Sequence, residues 1–510
     1  MNDVVPNKSN ADVAPRLGLW DAVSLVIGIV VGTSIFRTAP EVFQNTSGPW
    51  PALGAWFLGG VLSIIGALCY AELATTYTRA GGDYEYLTRA FGPWAGFLFG
   101  WAQLTAVLTS SIGTMAYTFA DYGVKLFRMN ESGAVWLAAT PIVGATILNA
   151  LGTSLGKTTQ NICTVAKVTG LIGVVLAGVA AADWSNLAFA PLSSGERLGE
   201  GVLASSEGVN IDGAEKSEIP PLIAPQKTTA LRSVATGDRA QLLPPFEGGG
   251  WQSFGLAMVF VLYAYGGWND AAFVAAEVRD RRRNLPLALI GGVLGVTAVY
   301  LAVNVAYLAG LGFDAARATR TPATDVIEAA IGSAGGNLAS ILVMISALGA
   351  INGMVLVGSR VYAAAGADHR PLRWLSGWDA ERGAPRAALL AQAAVSLAMV
   401  FAVSLVDPSD GFGTLLAATA PVFWSFLMGT GASVIILRWR DSLRERPFAV
   451  PFYPLPPLIF CATCGYMLYS SLTYALSKSP WLPLMGVGPV AAGLAVYLLT
   501  PRESATRFAD

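Results

Sequence analysis

An all-α polytopic membrane protein with about 12 transmembrane helices is the fold class this sequence predicts, and three observations predict it. Of 510 residues, 54% are hydrophobic and 13% charged, where an ordinary soluble chain carries roughly 25% charged residues. The mean hydropathy is +0.54, too apolar for a water-facing globule of this length. The apolar residues also fall in long runs rather than amphipathic stripes. The formal net charge of −1 excludes a nucleic-acid partner, which requires a basic face. Cys69, Cys163, Cys461 and Cys464 all lie inside apolar runs and are too few for a disulfide framework.

A helix needs about 20 apolar residues to cross a bilayer. The first six runs that meet this are approximately Leu19–Thr38, Pro51–Tyr70, Trp94–Tyr117, Val135–Leu151, Thr164–Ala182 and Phe254–Ala276. The second six are Pro286–Leu311, Leu338–Ala365, Ala387–Leu405, Thr414–Ile436, Leu455–Leu476 and Leu482–Leu499. The fourth is the weakest, because Pro141 and Asn149 interrupt it. Short loops orient the bundle through their Lys and Arg. Arg79 and Arg89 follow span two, Arg279 and Arg281–Arg283 follow span six, Arg370, Arg373, Arg382 and Arg386 follow span eight, and Arg438, Arg440, Arg444 and Arg446 follow span ten. These loops share one side, expected to be cytoplasmic, which places both termini inside with no cleavable signal peptide ahead of span one.

The resulting division is a tail over 1–18, five spans over 19–182, and a polar insertion over 183–250. Five spans over 251–440, two more over 441–500 and a tail over 501–510 complete it. The insertion is rich in Ser, Gly, Pro and charge, which reads as a solvated outer loop, a lid or docking element being the alternative.

Spans one and six open the two five-span halves, and both are interrupted. Span one contains Gly28-Ile29-Val30-Val31-Gly32-Thr33-Ser34-Ile35-Phe36, and span six contains Tyr263-Ala264-Tyr265-Gly266-Gly267-Trp268-Asn269. Unwound backbone at membrane depth is tolerated where it is buried in protein or lines a cavity, and Gly-interrupted segments at matching positions of two halves point to a binding site. Freed N–H groups at a half-helix start suit a carboxylate, and freed carbonyls suit an ammonium. A zwitterionic α-amino acid matches both. Small residues that merely allow close helix packing are the plainer reading.

These segments resemble the amino acid–polyamine–organocation superfamily, and within it the L-type amino acid transporter branch, from about Leu19 to Leu499 outside the insertion. The residues that carry the resemblance are Gly32-Thr33-Ser34-Ile35-Phe36, Tyr70-Ala71-Glu72-Leu73 and Gly81-Gly82-Asp83-Tyr84. Tyr263–Asn269 with Glu277 to Pro286, and Asn352-Gly353 with Ser359-Arg360, add to it. The resemblance implies a 5+5 inverted-repeat core plus two extra helices, with helices one and six unwound at mid-membrane, moving amino acids by alternating access in the plasma (inner) membrane. By similarity, the backbone of Gly32, Thr33, Ser34 and Ile35 holds the substrate carboxylate, and carbonyls around Tyr263, Ala264 and Tyr265, beside Gly266 and Gly267, hold its amino group. Tyr263 matches an outer gating aromatic and Asn269 a residue of the side-chain pocket. Lys167 resembles a fifth-span lysine standing where sodium sits in sodium-coupled relatives, which implies sodium-independent exchange or proton-linked uptake. Its plainer reading is a lysine that snorkels to the inner surface.

Several residues depart from the pattern or stay open. Ser34 replaces the second glycine of the first-span turn. Arg37 and Asp270 follow the two breaks closely, and an intramembrane ionisable residue is a functional hypothesis by default. They pair with each other, or Asp270 reads a substrate side chain, or Arg37 faces the outer vestibule and pairs with Glu41. Glu72 and Glu277 lie at inner helix ends near arginines. The Cys461-x-x-Cys464 spacing sits in an apolar helix without a second pair, and His369 is the single histidine. No metal, cofactor or catalytic constellation is therefore expected. Between Ala120 and Ser132 there is no cysteine, so no disulfide-linked heavy subunit is expected, and the partners are the amino acid and the lipid bilayer. A transporter-like sensor and an integral membrane enzyme are the competing readings.

Overall fold

The computed structural model describes residues 18–30, 32–77, 82–130, 133–151, 153–187, 251–269, 278–379 and 384–500. Asp270, Glu277 and the insertion beyond 187 lie outside the described residues.

Span one is two helices, α1 (Leu19–Val30) and α2 (Ile35–Gln44). The next is α3 (Pro49–Thr76), which opens with proline in its first turn, where a missing N–H costs nothing. A short helix, α4 (Asp83–Phe91), lies in what the sequence reads as a loop. Span three joins α5 (Pro93–Ala102) to α6 (Leu108–Phe127) through a π-turn at Gln103–Val107. Next come α7 (Ala134–Leu151) and α8 (Thr153–Ala180). The weak fourth span is continuous through Pro141, and buried Asn149 donates to the side chain of Asn352 at 2.9 Å.

The second half begins with α9 (Trp251–Tyr265) and α10 (Arg281–Leu311). Two further short helices, α11 (Phe313–Ala318) and α12 (Pro322–Ile331), precede α13 (Ser333–Asp368). Four helices follow: α14 (Arg386–Val406), α15 (Gly411–Arg440), α16 (Leu455–Lys478) and α17 (Leu484–Leu499). Among the described residues, eight helices have the length and hydropathy of a membrane span, and shorter apolar stretches lie in α8, α9 and α17. Exposed tryptophans stand at or just beyond helix ends, among them Trp20, Trp94, Trp184, Trp439 and Trp481, where an amphipathic ring suits the headgroup region.

Two features organise the interior. Gly66 of α3 leaves room for Trp268, whose ring lies 2.7 Å from where a Cβ would stand, and Trp268 meets Tyr70 edge-on at 5.0 Å. The arginine-bearing segments after spans two, eight and ten also meet at one end of the bundle. Arg438 and Arg446 bind Glu72, Arg440 reaches the Ala90 carbonyl, and Tyr84 hydrogen-bonds His369. Shared placement is what the charge distribution predicts.

Candidate functional site

Both interruptions lie where the glycines stand. α1 ends at Val30 and α2 starts at Ile35, with Thr33 and Ser34 in a turn between them. α9 ends at Tyr265, after which Gly266 and Gly267 turn the chain; Gly267 takes φ +104°, a conformation that costs glycine little and other residues much. The side chain of Asn269 accepts the Gly267 N–H at 3.2 Å and closes this turn.

Tyr300 of α10 joins the two breaks. Its hydroxyl lies 2.9 Å from the Val30 carbonyl and 2.9 Å from the Ala264 carbonyl. Its ring is buried between Trp56 and Tyr265, at 5.5 and 5.2 Å between centroids. Carbonyls at buried helix ends need donors, and this hydroxyl, with one proton to give, lies within reach of a carbonyl from each half. Sequence reasoning missed it, because a tyrosine in an apolar span reads as core. Tyr300→Phe is expected to lower stability by about 1–3 kcal/mol, read as a lower melting temperature of the detergent-purified protein.

Neighbouring side chains seal the breaks. Thr33 is fully buried and bonds Ser346 of α13 at 2.9 Å. Tyr263 is half-buried, shares a 2.5 Å hydrogen bond with Thr114 of α6, and meets Phe412 edge-on at 6.2 Å. At the start of α2 the Phe36 N–H donates to the Thr33 carbonyl at 3.1 Å, and the Arg37 and Thr38 N–H groups donate to the Ser34 carbonyl at 2.9 and 2.8 Å. Gly266, Trp268 and Asn269 line a small cavity with Ser63 and Trp424. Lys167 is buried in α8 at 9% exposure, beside Cys163, which disfavours the snorkelling reading. One turn on, Gly170 approaches Phe36 of α2, at 3.8 Å from its Cβ position, so this stretch of α8 runs alongside the first break.

Arg37 corrects the expectation most. It is buried at 2% exposure rather than facing a vestibule, and Glu41 at 2.5 Å is only one of three carboxylates around it. Asp121 of α6 lies 2.8 Å away and Asp410, the N-cap of α15, 3.3 Å. Phe412 covers the guanidinium at 4.9 Å. Lys478, at the end of α16, bonds Asp410 at 2.8 Å and Asp407 at 3.4 Å. Burial pushes the Asp410 carboxyl up, but Lys478 and Arg37 outweigh it and hold the group at about 2. The signal available in the sequence was that Asp121 and Asp410 abut spans at the end where Arg37 emerges.

Among the described residues no group of three or more His, Cys, Asp or Glu could hold a metal ion. The amino acid permease family model matches residues 17–488. The chain belongs to the amino acid permease family. The motif resemblance is thus borne out, and the protein is a multi-pass membrane permease rather than an enzyme. It is 27% identical over 494 residues to the human b(0,+)-type amino acid transporter 1, covering 95% of this chain and 87% of the relative. It is 27% identical over 490 residues to the serine/threonine exchanger SteT of Bacillus subtilis, covering 94% and 96%. With the human cystine/glutamate transporter it shares 26% over 503 residues, covering 98% and 87%.

Proposed function

We propose that this permease exchanges zwitterionic amino acids by alternating access, independently of sodium, with the substrate held across the two breaks. The observation that carries the reading is the Tyr300 hydroxyl, which brings the end of α1 and the end of α9 to a single point. The backbone of Gly32, Thr33, Ser34 and Ile35, at the start of α2, takes the carboxylate. Carbonyls from Tyr263 to Tyr265, at the Gly266-Gly267 turn, take the ammonium. Tyr263 gates the site and Asn269 faces the substrate side chain. Lys167 supplies a fixed charge in place of a coupling ion.

Residues 19–182 and 251–440 form the two repeats, 441–500 the extra spans, and 183–250 an outer insertion. The arginine-rich end is cytoplasmic with both termini, in the plasma (inner) membrane. The absence of cysteine between Ala120 and Ser132 speaks against a disulfide-linked subunit.

The test is counterflow in proteoliposomes preloaded with serine, supplied outside with labelled serine, threonine, cystine or glutamate in sodium or choline buffer. Accumulation of at least one label, equal in both buffers, is expected. A sodium requirement would remove the role given to Lys167. Failure of a broad amino acid panel to exchange, with binding retained, would favour a sensor.

A further inference from the structure

Asp83 opens α4 at the arginine-rich end and is buried at 5% exposure. Its carboxylate accepts hydrogen bonds from the hydroxyl of Tyr70 on α3 and from Thr430 on α15, the latter at 2.9 Å. The side chain of Asn269 hydrogen-bonds it as well. All three partners are neutral. The ionisable residues around it are engaged elsewhere: Glu85 with Arg89, Glu72 of α3 with Arg438 of α15, Arg440 of α15 with the Ala90 carbonyl, and His369 with Tyr84 of α4. Tyr86 of α4 lies near, packed edge-on against Tyr70, and α5, which packs against α4, carries no ionisable residue. A buried carboxylate thus ties two spans and a short helix to the residue that closes the α9 turn.

Building on the permease reading above, we propose that Asp83 is the latch of the cytoplasmic gate, and that the latch opens when its carboxyl loses a proton. The sign follows from solvation. Burial pushes the carboxyl up to about 6, the hydrogen bonds from Tyr70, Thr430 and Asn269 notwithstanding. Opened to water, it returns to about 3.9. The closed gate therefore binds the proton more tightly, so closure is fully supported below about pH 4 and is lost as pH rises through about 6. At neutral cytoplasmic pH the charge favours opening, and the strain bears on Asn269 and hence on the substrate turn.

Ser63 lines the cavity beside Trp268 and Asn269 and is buried at 2% exposure, so Ser63→Cys reports separation of that turn from α3. Labelling by a charged maleimide is followed from pH 5 to 7, each rate divided by that of free cysteine and corrected for the native thiols. A rise of roughly tenfold is expected from one proton. Asp83→Asn should abolish the pH dependence and leave the site slow to label. Thr430→Val, which removes a donor to the carboxylate, should move the midpoint to higher pH, and serves if Asp83→Asn fails to fold. A flat profile in the Ser63→Cys protein, or an unchanged one in the Asp83 or Thr430 variant, overturns the latch. Because labelling needs no substrate, an intact profile alongside absent amino acid exchange would sink the exchange reading proposed above and spare the latch.

Discussion

Arg37→Met is expected to be the most damaging single substitution at the end of the bundle opposite the arginine-rich loops. The variant keeps the side-chain volume and leaves Glu41, Asp121 and Asp410 facing one another without the guanidinium that binds all three. Removing one partner from a buried ion pair costs about 3–5 kcal/mol, because the remaining charge stays buried. Here the remaining charges also repel. The guanidinium ties α2, the second half of span one, to α6 and to the start of α15, so its loss should loosen this end of the bundle. Melting of the detergent-purified protein should fall sharply, and exchange by at least about tenfold, equivalent to 1.4 kcal/mol in the closing equilibrium. Arg37→Lys should rescue little, since a compact ammonium cannot present the planar fork that three acceptors require. Adding Glu41→Gln to Arg37→Met should recover part of the stability by removing one unpaired charge. Unchanged melting and unchanged exchange in Arg37→Met would show that the cluster does not clamp this end of the bundle.

Glu72→Ala should have an effect of similar size at the opposite end. The carboxylate is buried at 3% exposure and is bound on both oxygens. Arg438 donates Nε to one oxygen at 2.7 Å and Nη2 to the other. Arg446 lies 3.3 Å away, and the Val450 N–H donates at 2.7 Å. Arg438 also lies over the Tyr453 ring at 3.9 Å. One acidic residue at the end of α3 therefore holds the end of α15 and the segment leading into α16. Bidentate guanidinium–carboxylate pairs are the stronger kind, and truncating this one leaves two arginines without their carboxylate. A loss of about 3–5 kcal/mol is expected, measured by thermal melting. A double-mutant cycle of Glu72→Gln with Arg438→Gln should show a coupling of at least about 1 kcal/mol. Additive effects would mean that the pair is held in place by its surroundings and contributes little.

The two clamps differ in how far the sequence revealed them. Glu72 sits near a span end with arginines close by in the predicted topology, and the pairing follows the expected charge logic. Arg37 was visible as an anomaly with Glu41 as a local partner, but the pairing with Asp121, 84 residues away, and with Asp410, 373 away, was not. Asp83 was visible only as part of a motif. Its position against Asn269, Tyr70 and Thr430 depends on three segments meeting. Tyr300 was invisible, since nothing local separates a core tyrosine from one that bridges two chain breaks.

The sequence by itself determined the class, the long apolar helices, the arginine-bearing loops that meet at one end, and the glycine-bearing turns that follow α1 and α9. Those properties are set locally, by apolar run length, by glycine in the chain and by charge in short loops. Only the tertiary structure decided which buried polar groups meet. In a low-dielectric interior each buried donor or charge must find a partner, and the partner is chosen by helix packing across hundreds of residues rather than by its neighbours in the chain.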